Sequence, residues 1–358
     1  MAKLALLDTT RTGRHAQELE TKLRSLVVGQ EEAIHEIVRA YQSHTAGLSP
    51  AGRPIGNLLF LGPTGSGKTR VVEATAQALL DDSRAVTKID CGEFQHSHEV
   101  AKLIGSPPGY LGHRETHPAL SQEALNRHHT DKVKLSIVLF DEIEKASDAL
   151  WNLLLGILDK GILTLGDNRK VDFSASMIFL TSNLGASEMS ALSSPRLGFH
   201  HPTPEAAGLS GEAGGRMSRV GVAAARRKFT PEFINRLDKI VVFKPLGGEE
   251  LRRILGIELA MFQQRLQTAA ADMRFTVSIG KSAQELLLRE GTDSRYGARH
   301  LKRAIERLLV QPLSNLMASG QIEHGDRIRV TCREGSPLLA FFREAAERDG
   351  WNVGSIAA

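Results

Sequence analysis

The stretch Gly62-Pro63-Thr64-Gly65-Ser66-Gly67-Lys68-Thr69 constrains this chain more than any other. It follows an apolar run, Asn57–Leu61, and leads into a helical pattern that begins Arg70-Val71-Val72-Glu73. Strand, glycine-rich loop and helix in that order, with G-x-x-x-x-G-K-T across the turn, form a phosphate cradle. Gly62, Gly65 and Gly67 let the backbone approach an anion without Cβ clashes. The loop's N–H groups (Pro63 excepted) can wrap a phosphate chain at the positive end of the following helix. Lys68 can reach the β- and γ-phosphates, and Thr69 can place its hydroxyl on Mg²⁺. The expected ligand is therefore a nucleoside triphosphate with Mg²⁺.

The rest of the chain is consistent with an α/β fold. Residues 15 to 45 carry Leu19, Leu23, Leu26, Ile34, Ile37 and Val38 at helical steps, interrupted by Val27-Val28-Gly29-Gln30. From Asn57 to about Lys244, short apolar runs alternate with helical patterns. The strand candidates are Asn57–Leu61, Ala85–Ile89, Ser136–Phe140, Met177–Thr181 and Ile240–Phe243. Several are apolar throughout, as parallel strands covered on both faces must be. The expectation is a doubly wound, parallel five-stranded sheet. After Pro245 the pattern turns helical, at 248–268, 282–289 and 298–317, with short β segments at 274–278 and 327–331. This reads as a smaller, mostly helical α+β lid. The expected division is an N-terminal helical segment 1–50, a nucleotide-binding domain 51–244, a small domain 245–334 and a tail 335–358. Ser187–Gly221, rich in Gly, Ala, Ser and Pro, reads as a long loop. Leu338, Leu339, Phe341 and Phe342 in the tail read as a short helix.

Two further strand ends carry chemistry. Ser136–Phe140 runs into Asp141-Glu142. Downstream of a phosphate loop, Asp141 can hold Mg²⁺, directly or through water, and Glu142 can polarise an attacking water. The plainer alternative is acids at a helix N-terminus. Met177–Thr181 ends at Ser182-Asn183, where a neutral amide can bond both phosphate and water; the alternative is an Asn serving a turn before Gly185.

Composition narrows the class. The chain has 358 residues, 41% hydrophobic and 24% charged, with a formal charge of +4. That balance does not argue for nucleic acid. Its two cysteines, Cys91 and Cys332, have no metal or redox spacing. His113, His117, His128 and His129 lack the Cys or carboxylate set that a tetrahedral metal site needs. No apolar run reaches the ~18–20 residues that span a bilayer. The start is too short in apolar residues for a secretion signal, so a cytoplasmic location is expected.

A family resemblance rests on five motifs in order. They are the phosphate loop, Asp141-Glu142-Ile143-Glu144-Lys145-Ala146, Thr181-Ser182-Asn183, Phe229-Thr230-Pro231-Glu232-Phe233-Ile234-Asn235-Arg236 and Gly297-Ala298-Arg299. Together they resemble the second AAA+ module of the Clp ATPases (the ClpA, ClpB and ClpC family), over Val28 to about Val330. The resemblance implies that Asn183 is sensor 1 and that Arg236 is an arginine finger acting on the neighbouring subunit. It implies that Arg299 is sensor 2 and that Val28 and Gly29 pack on adenine. It also implies a ring, expected as a hexamer. An exposed helical arginine is the plainer reading of Arg236 and Arg299.

Ser106-Pro107-Pro108-Gly109-Tyr110-Leu111-Gly112 suggests what such a ring grips. Pro-Pro-Gly turns the loop, and the glycines leave Tyr110 with little cover, so it can hold any chain by apolar contact. Tyr110 and Leu111 resemble the axial pore loop of Clp unfoldases, which implies unfolded or aggregated polypeptide as substrate. The chain departs from the family at His113–Glu123 and at Arg70, whose effect the sequence does not explain. Leu197-Gly198-Phe199 resembles the docking tripeptide for a ClpP-like peptidase, or else anchors its own loop. Three functions follow: an ATP-driven unfoldase or disaggregase, an ATPase feeding a peptidase, and a nucleic-acid motor. The last is disfavoured, because DNA motors present basic hairpins to phosphates.

Overall fold

The computed structural model describes residues 8, 11–106, 118–193, 210–269, 275–292, 297–333 and 337–344. Of residues 190–193, 210–213 and 269 it describes the backbone alone. Tyr110, Leu111 and the tripeptide Leu197-Gly198-Phe199 lie outside the described residues. The chain divides into two units, Met1–Pro245 and Leu246–Ala358.

The first unit contains strands β1 (Gly56–Leu61), β2 (Thr87–Asp90), β3 (Ser136–Asp141), β4 (Ile162–Thr164), β5 (Lys170–Asp172), β6 (Ser176–Ser182) and β7 (Lys239–Val242). Five of them form one sheet in the order β2-β3-β6-β1-β7. Every pair in it is parallel. These are the five strands expected from the sequence. Their continuous hydrophobicity has a direct cause, since alternate residues feed cores on opposite faces. Leu59, Leu61, Val138, Phe140, Ile178 and Leu180 join one core, with helix Asp148–Lys160. Leu58, Phe60, Ile137, Leu139, Met177 and Phe179 join the other. Helices Arg14–Leu26, Glu31–Thr45 and Lys68–Leu80 cover that second face. Because the strands run parallel, β1, β3 and β6 all end on the same edge of the sheet. In open α/β sheets ligands bind outside the carboxyl ends of the strands.

The second unit packs helices Gly248–Ala269, Lys281–Gly291, Ala298–Ile305 and Gln311–Ala318 around Leu255, Leu287, Leu301, Leu309 and Val330. The stretch read as one helix at 298–317 contains a wider π turn at Glu306–Val310. Pro312 follows it. Proline lacks the N–H that an α-helix interior needs and crowds the carbonyl four residues back, and the looser turn accommodates it.

Two expectations are corrected. Much of Ser187–Gly221 is helical, in Ala186–Ser193 and Ser210–Lys228, on either side of residues 194–209, which are not described. Its glycines suggested a loop because glycine costs a helix about 1 kcal/mol relative to alanine. Here Gly221, and Gly185 just before the stretch, permit close packing instead. A Cβ on Gly221 would lie 3.1 Å from Val242 Cγ2, and one on Gly185 would lie 3.2 Å from the Ala224 Cβ. The tail residues read as a helix form strand β10 (Leu339–Glu344). It pairs antiparallel with β9 (Arg327–Cys332), whose other neighbour, β8 (Thr276–Ile279), runs parallel to it. Leu339 and Phe341, two apart, pack on the small core, and that period-2 contact selects a strand. The antiparallel hairpin β4–β5 had no counterpart in the sequence reading.

Candidate active site

The glycines of the phosphate loop are required one by one. Gly62 has φ of +151°, and a Cβ there would stand 2.7 Å from the Phe243 carbonyl oxygen. Gly65 and Gly67 have φ of +77° and +99°, in the left-handed region that other residues resist. Gly67 opens the helix Lys68–Leu80, so the loop runs directly into the positive end of that helix. Gly62→Ala is expected to cost about 1–3 kcal/mol of stability from the clash alone. It should also remove the upward shift in melting temperature that ATP gives the parent chain. A thermal melt with and without ATP checks this, and an undiminished shift in the variant would count against the cradle.

Lys68 is 8% exposed. Its ammonium donates to the carbonyls of Gly62 at 2.6 Å and Pro63 at 3.0 Å, and to Asn183 Oδ1 at 2.9 Å. Asn183 therefore lies at the loop, 115 residues along the chain. Thr64 Oγ1 donates to the same oxygen at 3.5 Å. From its other end, Asn183 Nδ2 donates to Glu142 Oε1 at 3.4 Å. One amide thus bridges the phosphate-loop lysine and the acid after β3. The Asn183 backbone N–H donates to Glu144 Oε1 at 3.0 Å, which holds the end of β6 against the turn after β3.

Asp141 and Glu142 occupy different environments. Asp141 accepts a hydrogen bond from Thr181 Oγ1, and its other oxygen lies 2.8 Å from Lys88 Nζ. Glu142 has φ of +57°, one of three described non-glycine residues with positive φ. A left-handed residue of this kind carries backbone strain, and such strain collects at functional positions. Its N–H donates to Thr181 Oγ1 at 3.1 Å. The turn points its carboxylate at Asn183 on one oxygen and pairs the other with Lys145. That bond holds Lys145 protonated above its ordinary range. Burial, with Asp141 next, pushes the neighbouring Cys91 thiol up, so it stays neutral and inert.

The donor set fits a triphosphate with Mg²⁺: a glycine cradle, a buried ammonium, a threonine hydroxyl at Thr69 and a carboxylate at Asp141. Val28 is buried, and Gly29, with φ of +77°, turns the chain between the first two helices. Gln30 was missed by the sequence reading. Its buried side chain donates to the Ser66 carbonyl at 3.0 Å and to the Lys244 carbonyl at 3.0 Å, tying the loop to the end of the first unit. Its only sequence signal was its place directly after Gly29. Lys88 had none, because the neighbour of β2 is decided by sheet order. Arg70 lies one residue past Thr69, with Glu73 at 3.9 Å.

Arg236 is not brought to Lys68. It follows the short helix Pro231–Ile234, capped by Thr230. Its guanidinium donates to the Leu155 carbonyl at 2.7 Å and pairs with Glu232 at 2.8 Å and Asp159 at 3.4 Å. Its own carbonyl accepts from Asn57 at the start of β1, whereas the phosphate loop leaves the end of β1. At ~3.3 Å per residue, the strand separates the two ends by roughly 16 Å. Arg299 lies in the second unit, exposed in the first turn of Ala298–Ile305. The hairpin turn donates Gly166 N–H to the Ile104 carbonyl at 2.8 Å. No helix among the described residues is long and apolar enough to cross a membrane.

Comparison with known proteins agrees with this geometry. A model of the family described as "AAA domain (Cdc48 subfamily)" matches residues 53–240. A second, the "C-terminal, D2-small domain, of ClpB protein", matches residues 246–330. The chaperone protein ClpB of Rhodopseudomonas palustris is 38% identical over 88% of this chain and 33% of its own length. ClpB of Rhizobium meliloti is 39% identical over 91% of this chain and 34% of its own. The chain thus spans about a third of the length of these relatives. Among solved structures, an extended S. cerevisiae Hsp104:casein complex superposes with a TM-score of 0.76 at 28% identity, covering 91% of this chain and 52% of that one. A closed-state reconstruction of Hsp104:ATPyS and FITC casein gives a TM-score of 0.74 at 27% identity, covering 92% and 51%. With the motif order, the sheet order and both family matches in agreement, the chain belongs to the Clp-type AAA+ ATPases, in which it matches the second module together with its small domain.

Proposed function

We propose that this chain is the motor of a ring-forming, ATP-driven polypeptide unfoldase or disaggregase. The observation that carries the reading is the Asn183 bridge between Lys68 and Glu142, since it assembles phosphate binding and water activation into one site. In this reading the loop Pro63–Gly67 and Lys68 hold the phosphates of ATP. Thr69 and Asp141 hold Mg²⁺, which neutralises phosphate charge when bound. Glu142 takes a proton from the attacking water, and Asn183 orients that water against the phosphate. Val28 and Gly29 face adenine, and Arg299 reports the nucleotide to the small domain.

Arg236 is the part that the chain's own site lacks. Held at the opposite edge of the sheet, it suits a neighbour's triphosphate, where a cation stabilises transition-state charge. Hydrolysis would then depend on assembly, which supports a ring. The polypeptide part rests on Tyr110 and Leu111 between glycines, and on relatives named as chaperones or solved with casein. Tyr110→Ala is expected to keep ATP turnover in the absence of polypeptide and to lose unfolding of a tagged, folded substrate. A fluorescence unfolding assay reads this directly, and unchanged unfolding would remove the pore-loop assignment.

A peptidase partner is a second reading, carried by Leu197-Gly198-Phe199 alone. Co-sedimentation with a ClpP-like ring decides it. DNA stimulation of turnover exceeding that by unfolded protein would instead favour a nucleic-acid motor.

A further inference from the structure

We propose that Asn57 is a positioning residue for Arg236, setting it for its action on the neighbouring subunit. Asn57 is the second residue of β1 and is 0% exposed. Its Nδ2 donates to two carbonyls, Leu158 at 3.0 Å and Arg236 at 3.2 Å. Its backbone N–H donates to Asp238 Oδ2 at 2.7 Å, and its carbonyl accepts from the Asp238 N–H at 2.9 Å. Asn57 therefore holds Arg236 itself and the residue two further on.

The second carbonyl matters equally. Leu158 belongs to helix Asp148–Lys160, which also supplies the Leu155 carbonyl and the Asp159 carboxylate that steady the Arg236 guanidinium. One amide thus fastens the backbone that carries the arginine and the helix on which its charge rests. The triphosphate that such an arginine must meet lies on another subunit and cannot align it in advance. Its orientation has to be built in beforehand.

The hydrogen bonding of this residue is incomplete. Asn57 Oδ1 is buried and has no hydrogen-bond partner among the described residues. An amide buried with an unmet acceptor works against the fold. A small or apolar side chain at this core position would avoid that cost but would release both carbonyls. Residues that trade stability for geometry of this kind belong to functional sites. The strand whose second residue is Asn57 ends at the phosphate loop. β1 therefore links the pocket a subunit owns to the arginine it lends.

The inference rests on the reading of Arg236 as an arginine donated in trans, and the experiment separates the two. ATP turnover and binding of a fluorescent ATP analogue are measured for full chains carrying Asn57→Ala, Asn57→Ser, Arg236→Ala or Glu142→Gln. Each is tested alone; the Asn57 and Arg236 variants are also mixed in equal amounts with Glu142→Gln, and Asn57→Ala with Arg236→Ala, before assembly. Asn57→Ala is expected to bind the analogue with parent affinity and to lose turnover by roughly 10- to 100-fold, the scale of a misplaced group. Mixed with Glu142→Gln subunits, which keep a well-placed Arg236, its intact pockets should recover turnover beyond either variant alone. Mixed with Arg236→Ala it should recover nothing. Asn57→Ser can satisfy one carbonyl and should fall between parent and alanine. It decides the matter if the alanine variant does not fold. Parent-level turnover in both Asn57 variants overturns the inference, even when Arg236→Ala is inactive and rescued. Lost analogue binding, or a loss that Glu142→Gln cannot rescue, reduces Asn57 to a structural role and also overturns it. Normal turnover by Arg236→Ala removes the donated arginine itself, and the role of Asn57 with it.

Discussion

Glu142→Gln is expected to bind ATP as tightly as the parent chain and to hydrolyse it roughly 10²- to 10⁴-fold more slowly, the range that general-base catalysis supplies. Glutamine has the same length and the same tolerance for the left-handed backbone at this position, where φ is +57°. The backbone bond from residue 142 to Thr181 is untouched, and the amide oxygen can still accept from Asn183. What is lost is the negative charge that pairs with Lys145 and the capacity to take a proton from water. Single-turnover hydrolysis, with binding followed separately, distinguishes a failed proton transfer from a failed fold. Turnover within a few-fold of the parent would show that the strained turn after β3 does not present a general base.

Arg236→Ala has the second-largest expected effect. Donated arginines contribute about 10³- to 10⁵-fold to related phosphoryl transfers, so a loss at the lower end, about 4 kcal/mol of barrier, is expected. Stability should change little. Asp159 and Glu232, the two carboxylates left behind, are 45% and 61% exposed in their side chains. Exposed pairs of this kind contribute about 0–1 kcal/mol. The informative measurement is a mixture. Arg236→Ala keeps a complete pocket and Glu142→Gln keeps a complete arginine, so mixed assemblies should turn over ATP although neither variant does so alone. Failure to recover would mean that Arg236 serves its own subunit or only the fold. The separation along β1 speaks against the first of these.

Four of the five sheet strands were legible because they carry apolar residues toward both faces, as with Leu58 and Leu59 on adjacent positions of β1, whereas β2 carries Ile89 alone. The glycine-rich loop was legible because its backbone takes positive φ at Gly62, Gly65 and Gly67, which other residues resist. Legibility ended where composition and packing disagree. Gly221 looked like loop chemistry, yet its missing side chain lets a helix lie against Val242. Phe341 looked like part of a short helix, yet pairing with β9 decides its conformation.

The amino-acid sequence by itself determined the phosphate loop, the acids after β3, the amide after β6 and the sheet that carries them. These depend on local backbone geometry and on continuous runs of buried apolar residues, both written in consecutive residues. Only the tertiary structure decided which of them meet. The parallel order β2-β3-β6-β1-β7 brings Lys68, Glu142 and Asn183 to one edge and leaves Arg236 at the other. It also gives Asn57, an unremarked polar residue in an apolar run, its two carbonyl partners. Hydrogen bonds between residues a hundred or more positions apart depend on strand order and register, which no short run of residues encodes.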